Sequence, residues 1–182
     1  MATLGTLATH PARDRLDLFA SPTSAALQQW PGGAEAYGAE IDPGLADTAA
    51  FCEAYDVPLE ASANCVVLAG KREGVERMAA CVVLATTRAD VNGVARRRLD
   101  VRKISFAPMD VAVERSDMEY GGITPVGLPA DWPILIDARV VEQPLVVIGS
   151  GLRRSKIVLP GAVLATLPGV EVVTDLAREI PA

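Results

Sequence analysis

The sequence predicts an α+β fold built on a mixed, mostly antiparallel sheet. Three observations predict it: strand-like segments outnumber helical ones, several neighbouring strands have connections too short for parallel crossovers, and two β-branched runs flank a glycine-containing loop as in a hairpin. At 182 residues, 50% hydrophobic and 22% charged, the chain can fill one domain-sized core.

Residues 1–30 are rich in Ala, Thr and Ser, with a short amphipathic stretch from Leu16 to Leu27. Trp30-Pro31-Gly32-Gly33 ends it in a turn, because Pro fixes φ and the glycines offer positive φ. Residues 1–35 therefore read as an N-terminal extension of helix plus turn, and 36–182 as the main domain. Ala46, Ala49, Ala50 and Ala54 follow helical spacing, with start signals at Asp42-Pro43 and Asp47 and a stop at Pro58. Cys65-Val66-Val67-Leu68 and Cys81-Val82-Val83-Leu84 are strands on either side of the polar turn Gly70–Gly74. Their shared CVVLA pentamer reflects the pairing of like strands rather than a domain repeat. Asp90 caps a short helix from Val91 to Leu99, and Ala107-Pro108 opens another from Met109 to Arg115. Pro133–Asp137 and Leu145–Gly149 are buried-strand patterns, and Ser155–Leu159 is a further strand. Pro160 opens a helix to Leu167, and Val170–Val173 forms a last strand.

Charge and cysteine usage narrow the chemistry. Lys and Arg number 17 against 23 Asp and Glu, a net charge of −6 that argues against extended, non-specific nucleic-acid binding. Local contact stays open through Arg88, Arg96, Arg97, Arg98, Arg102 and Lys103, and through Arg153, Arg154 and Lys156; each cluster is a solvated face or a steering patch. Three cysteines (Cys52, Cys65, Cys81) without C-x-x-C spacing give neither a disulfide framework nor a metal site, and the two in Val-rich strands read as core. The only histidine, His10, lies near the N-terminus, and there is no G-x-S-x-G elbow, phosphate loop or dinucleotide fingerprint. No cofactor is expected. No apolar run approaches the roughly 20 residues that span a bilayer. The N-terminus lacks signal-peptide architecture, so a reducing cytoplasm is the expected setting.

Three elements could carry function. Tyr120–Pro129 lacks periodicity, and its three glycines and two prolines fix one backbone path. Its Gly121–Gly127 part is either a tight turn or a concave main-chain site for an anion or carbonyl. Gly149-Ser150-Gly151 ends an apolar strand, as a plain turn or a binding loop. Asp137 either orients a ligand amine or hydroxyl or caps the helix beginning at Ala138.

Taken in order, these residues resemble a known family. DTAAFCEAYDVPLEASANCVVL (Asp47–Leu68) resembles the helix and first core strand of the YbaK/prolyl-tRNA synthetase-associated editing domain. EYGGITPVGLPADWPILID, with Gly121-Gly122-Ile123-Thr124-Pro125, looks like its G-x-x-x-P loop and ligand-site strand. GSGLRRSKIVLPG (Gly149–Gly161) resembles its closing strand pair and helix start; the first 35 or so residues fall outside the likeness. The resemblance implies a barrel-like sheet with flanking helices, and hydrolysis in trans of wrongly charged aminoacyl-tRNA without metal, histidine or reactive thiol. It implies that the Gly121–Pro125 backbone holds the aminoacyl carbonyl and ribose, with Asn64, Gly121, Thr124 and Asp137 in the catalytic role and Gly122, Ile123, Pro125, Gly149, Ser150 and Gly151 binding the substrate. The ester would be activated by the substrate's own ribose hydroxyl and an ordered water, helped in the family by a strand lysine whose position is here Asn64. Lys71 lies past that strand and is a hairpin-turn charge. Arg153, Arg154 and Lys156 would meet the tRNA acceptor end, and an aminoacyl-tRNA synthetase is a further implied partner. With Asn64 in place of lysine, the competing expectation is a binding module for aminoacyl-adenosine or a related small molecule; an interaction domain using the N-terminal stretch is a third.

Overall fold

The computed structural model describes residues 2–181. Its elements in chain order are β1 (Thr9–Pro11), α1 (Ser21–Gln29), β2 (Tyr37–Glu40), α2 (Thr48–Ala54), β3 (Ala63–Arg72), β4 (Val75–Leu84) and β5 (Thr87–Ala89). There follow α3 (Arg96–Arg98), β6 (Lys103–Phe106), α4 (Met109–Ser116), β7 (Ile134–Asp137), α5 (Ala138–Val141), β8 (Val146–Gly149), β9 (Ser155–Leu159), α6 (Gly161–Leu164), β10 (Val170–Val173) and β11 (Ala177–Glu179).

The hairpin forms between the expected strands, but its turn is tighter than the sequence suggests. Gly70, Lys71 and Arg72 extend β3, and the loop is only Glu73-Gly74, with φ of 52° and 80°. Two residues of positive φ make the primed turn that matches strand twist. Gly70 stays in the strand for want of space, since a Cβ there would lie 2.6 Å from Val101 Cγ2 and 2.9 Å from Lys103 O. Gly32 and Gly33 likewise serve space rather than conformation. They sit in a 3-10 turn without positive φ, where a Cβ on Gly33 would lie 2.1 Å from Leu27 O. The expected helix from Val91 begins as a π-turn over Val91–Ala95, capped by Asp90, before passing into α3.

Among the described residues the strands make three open sheets, ordered β1-β2-β9-β8, β10-β7-β4-β3-β6 and β11-β5; no barrel closes. The central sheet is mixed: β3 pairs antiparallel with β4 and β6, while β7 runs parallel to both β4 and β10. The first two sheets meet at a single parallel bridge, Ser62 with Val147, and share one hydrophobic cluster that includes Val82, Ile136, Ile148 and Ile157.

The N-terminal segment packs into that same cluster. Leu18, Phe19, Leu27 and Trp30 are all buried in it, and β1 pairs with β2. Trp30 Nε1 donates to Thr166 Oγ1 at 2.9 Å, tying the extension to the turn that follows α6. It also braces the loop after β8: Ala20 N–H donates to Ser150 O at 3.2 Å, and Ser155 Oγ donates to Leu18 O.

Candidate active site

From the Ser62–Val147 bridge, β3 and β8 diverge, and the gap is a cavity of about 520 Å³, within the range of small-molecule sites. One wall is Ala63–Val67 of β3 and a second is Val147–Gly149 with Lys156; the start of α2 (Asp47, Thr48) and Gly121 and Ile123 of the bend complete the lining. Phe106, Met109 and Tyr120 stand at the rim, 61%, 54% and 58% exposed.

The bend is held by the loop after β8. Gly122 N–H donates to Glu119 O at 3.0 Å, and Gly151 N–H donates to Gly122 O at 2.7 Å. Glu119 N–H donates to Gly151 O at 2.8 Å, and Arg153 N–H donates to Glu119 Oε2 at 2.7 Å. Among the described residues the amides of Gly121 and Ile123 donate no backbone hydrogen bond, which leaves them free for a ligand. Gly121 has φ +79°, a conformation that favours glycine. Gly149 is needed for close approach: a Cβ there would lie 2.6 Å from Gly122 O and 2.7 Å from Ile123 O.

Of the residues singled out in the sequence, Asn64, Gly121, Ile123, Gly149 and Lys156 line this cavity. Asn64 Oδ1 accepts from Thr48 Oγ1 at 2.7 Å, so the Asn64 amide N–H groups remain as donors. Gly122, Thr124, Pro125, Ser150 and Gly151 lie behind the lining; Thr124 is fully buried with its hydroxyl unpartnered, and Ser150 Oγ is 2.7 Å from Ser155 Oγ. Arg153 and Arg154 border an adjoining groove with Pro43, Met109, Val113 and Tyr120, which Asp110 and Glu119 also line. Lys156 is not on the surface beside these arginines; it is 9% exposed, inside the cavity wall.

Asp137 takes the capping alternative and lies outside the lining. Its Oδ1 accepts from Arg139 N–H at 3.0 Å at the start of α5, and its Oδ2 accepts from Ala177 N–H of β11 at 2.9 Å. Removing a fully buried carboxylate would orphan one buried and one part-buried donor, which costs about 3 kcal/mol. Asp137→Ala should lower Tm by roughly 6–12 °C for a chain of this size while leaving turnover per folded molecule unchanged. A melting curve with an active-fraction titration checks it; unchanged Tm with lost turnover would return Asp137 to the chemistry.

Burial disfavours the thiolate form at all three cysteines. Burial pushes the Cys65 thiol, which lines the cavity, far up, Cys81 up to about 12, and Cys52 also upward against a hydrogen bond from Ser62. What sequence reasoning missed was Asp47, Thr48, Ser62 and the aromatic rim. One signal was available for Lys156: a lone ammonium in Ser-Lys-Ile-Val-Leu, a strand otherwise patterned for burial.

Fold and cavity define an α+β domain with a small-molecule-sized site walled by main chain. The chain belongs to the aminoacyl-tRNA editing domain family, whose model matches residues 42–167. It is similar in fold to a crystal structure provisionally assigned as a trans-editing enzyme for prolyl tRNA synthetase, with TM-score 0.72 and 20% identity over 88% of this chain and 97% of that one. It is similar also to the hypothetical protein APE2540, with TM-score 0.71 and 16% identity over 81% and 94% of the two chains. None of the curated proteins compared with it matches. Among the described residues no helix is long and apolar enough to cross a membrane.

Proposed function

We propose that this protein hydrolyses the ester of mischarged aminoacyl-tRNA in trans, releasing the amino acid from the terminal adenosine. The observation that carries this reading is the cavity between the splayed strands β3 and β8, with the unengaged amides of Gly121 and Ile123 at its edge. Main-chain donors aimed at a developing oxyanion are worth about 10²–10³ each in rate, and a site holding ester and water in attack geometry supplies more. An ordered water performs the attack, assisted by the substrate's own ribose hydroxyl, with the Asn64 amide donating to the bound adenosine ester. Val66, Ile123 and Ala46 leave space for a small amino acid side chain. The unpaired 3′ end leaves across the groove beside Tyr120, where an exposed aromatic ring and the Arg153 and Arg154 guanidiniums suit a stacked base and its phosphate.

Release of labelled amino acid from a panel of mischarged tRNAs is the test. Turnover above buffer is expected for at least one small amino acid. Binding of a non-hydrolysable aminoacyl-adenosine with no turnover on any tRNA would replace the enzyme with a binding module.

A further inference from the structure

Among the described residues, Asp47 and Lys156 are the only charged ones lining the cavity, and Lys156 is the one cation of the two. The β9 backbone places Lys156 across from Ala39 of β2 and Gly149 of β8, and its side chain runs inward rather than to solvent. Nζ donates to Ala46 O at 3.2 Å and stands 4.9 Å from the centre of the Phe51 ring. Among the described residues it makes no ion pair. One carbonyl and one ring face satisfy an ammonium with three donors poorly. Such a group destabilises the fold, since a buried charge without a paired partner is costly, and its presence calls for a functional reason.

We propose that Lys156 is a catalytic residue of the editing reaction, its ammonium placed from β9 to hold the carbonyl oxygen of the bound ester as negative charge develops there. The inference rests on the function proposed above and gives the cavity a cationic group that Asn64 cannot supply. In the step, water adds to the ester carbonyl carbon and the carbonyl π electrons move to oxygen, which the Lys156 ammonium and the bend amides stabilise. The carbon–oxygen bond to the ribose then breaks, and the proton lost by the water ends on the ribose oxygen. The products are the free amino acid and a tRNA with its terminal hydroxyl restored. Lys156 keeps its protons throughout, so its contribution is charge alone.

The groups packed around Nζ set when it is charged. Burial pulls its pKa below the usual 10.5 and Arg153 pulls the same way, while Cys52 and Asp47 oppose them. The charged form is therefore disfavoured in the folded chain, and this group opposes stability at neutral pH. That opposition is relieved as pH rises from the lowered value toward 10.5.

Lys156→Met, close in length and uncharged, tests the proposal with three readouts. Single-turnover release from the tRNA hydrolysed by the wild type should fall about 10²–10³-fold. The rate ratio of wild type to variant should shrink as pH climbs through the lowered lysine pKa, which a merely structural lysine would not produce. Tm at neutral pH should equal or exceed that of the wild type, the excess closing toward pH 10.5. A variant that is as fast as the wild type, shows a pH-independent ratio, or melts lower overturns the proposal while leaving the editing function standing. Wild-type protein that releases no amino acid from any tRNA overturns both.

Discussion

Gly149→Val should reduce deacylation about 10²-fold or more while the protein still folds. The side chain would have to enter space held by the carbonyl oxygens of Gly122 and Ile123, 2.6 and 2.7 Å from its first carbon, and neither is a flexible group that can turn aside. The bend must then retreat from β8, carrying the Gly121 and Ile123 amides with it. A displacement near 1 Å in a group that positions a reacting centre costs about 10²-fold. Overpacking adds about 1–3 kcal/mol of destabilisation, a fraction of what a domain holds. Steady-state release assays on the responsive tRNA, with circular dichroism as the folding control, give the comparison. Activity within a few-fold of wild type would mean that the bend does not position the ester.

Deleting residues 1–35 should abolish the cooperative fold. Leu18, Phe19, Leu27 and Trp30 leave the core with that segment, and each buried side chain of this kind contributes about 1.5–3 kcal/mol. Their sum is comparable to the whole stability of an ordinary domain, about 5–15 kcal/mol. The deletion also exposes the edge of β2 and frees the loop after β8 from its contacts with Leu18 and Ala20. Soluble yield and a thermal melt are the measurements. A truncated chain that melts cooperatively within a few degrees of the full one would show the segment to be an appendage.

Both expectations turn on features that reading the chain alone treats differently from the folded molecule. The family likeness begins after residue 35 and the family match at residue 42, so the segment before them reads as an extension. Its apolar residues pack against Ile148, Ile157 and Leu164, more than a hundred positions away, and no local pattern encodes that. Gly149 reads as the end of a strand; that it lets two carbonyls approach depends on how the bend at 121–125 folds back on it.

The sequence by itself determined what short-range forces decide. Asp47 and Asp90 precede helical turns and accept from amides two or three residues on, so their caps follow from spacing. The paired CVVLA strands and the closing strands Ser155–Leu159 and Val170–Val173 follow from β-branched runs, and the Gly121–Pro125 bend follows from a glycine free to take positive φ and a proline of fixed φ. Only the tertiary structure decided which of these elements share a cavity. Asn64, Gly121, Gly149 and Lys156 come together because two sheets joined at one bridge splay apart, whereas Asp137 is drawn to the amide of Ala177, 40 positions along the chain. In β9 every residue is buried, so the strand shows no alternation to say which way Lys156 points. Its direction is fixed by pairing with β2 and β8, a long-range contact that strand pattern does not carry.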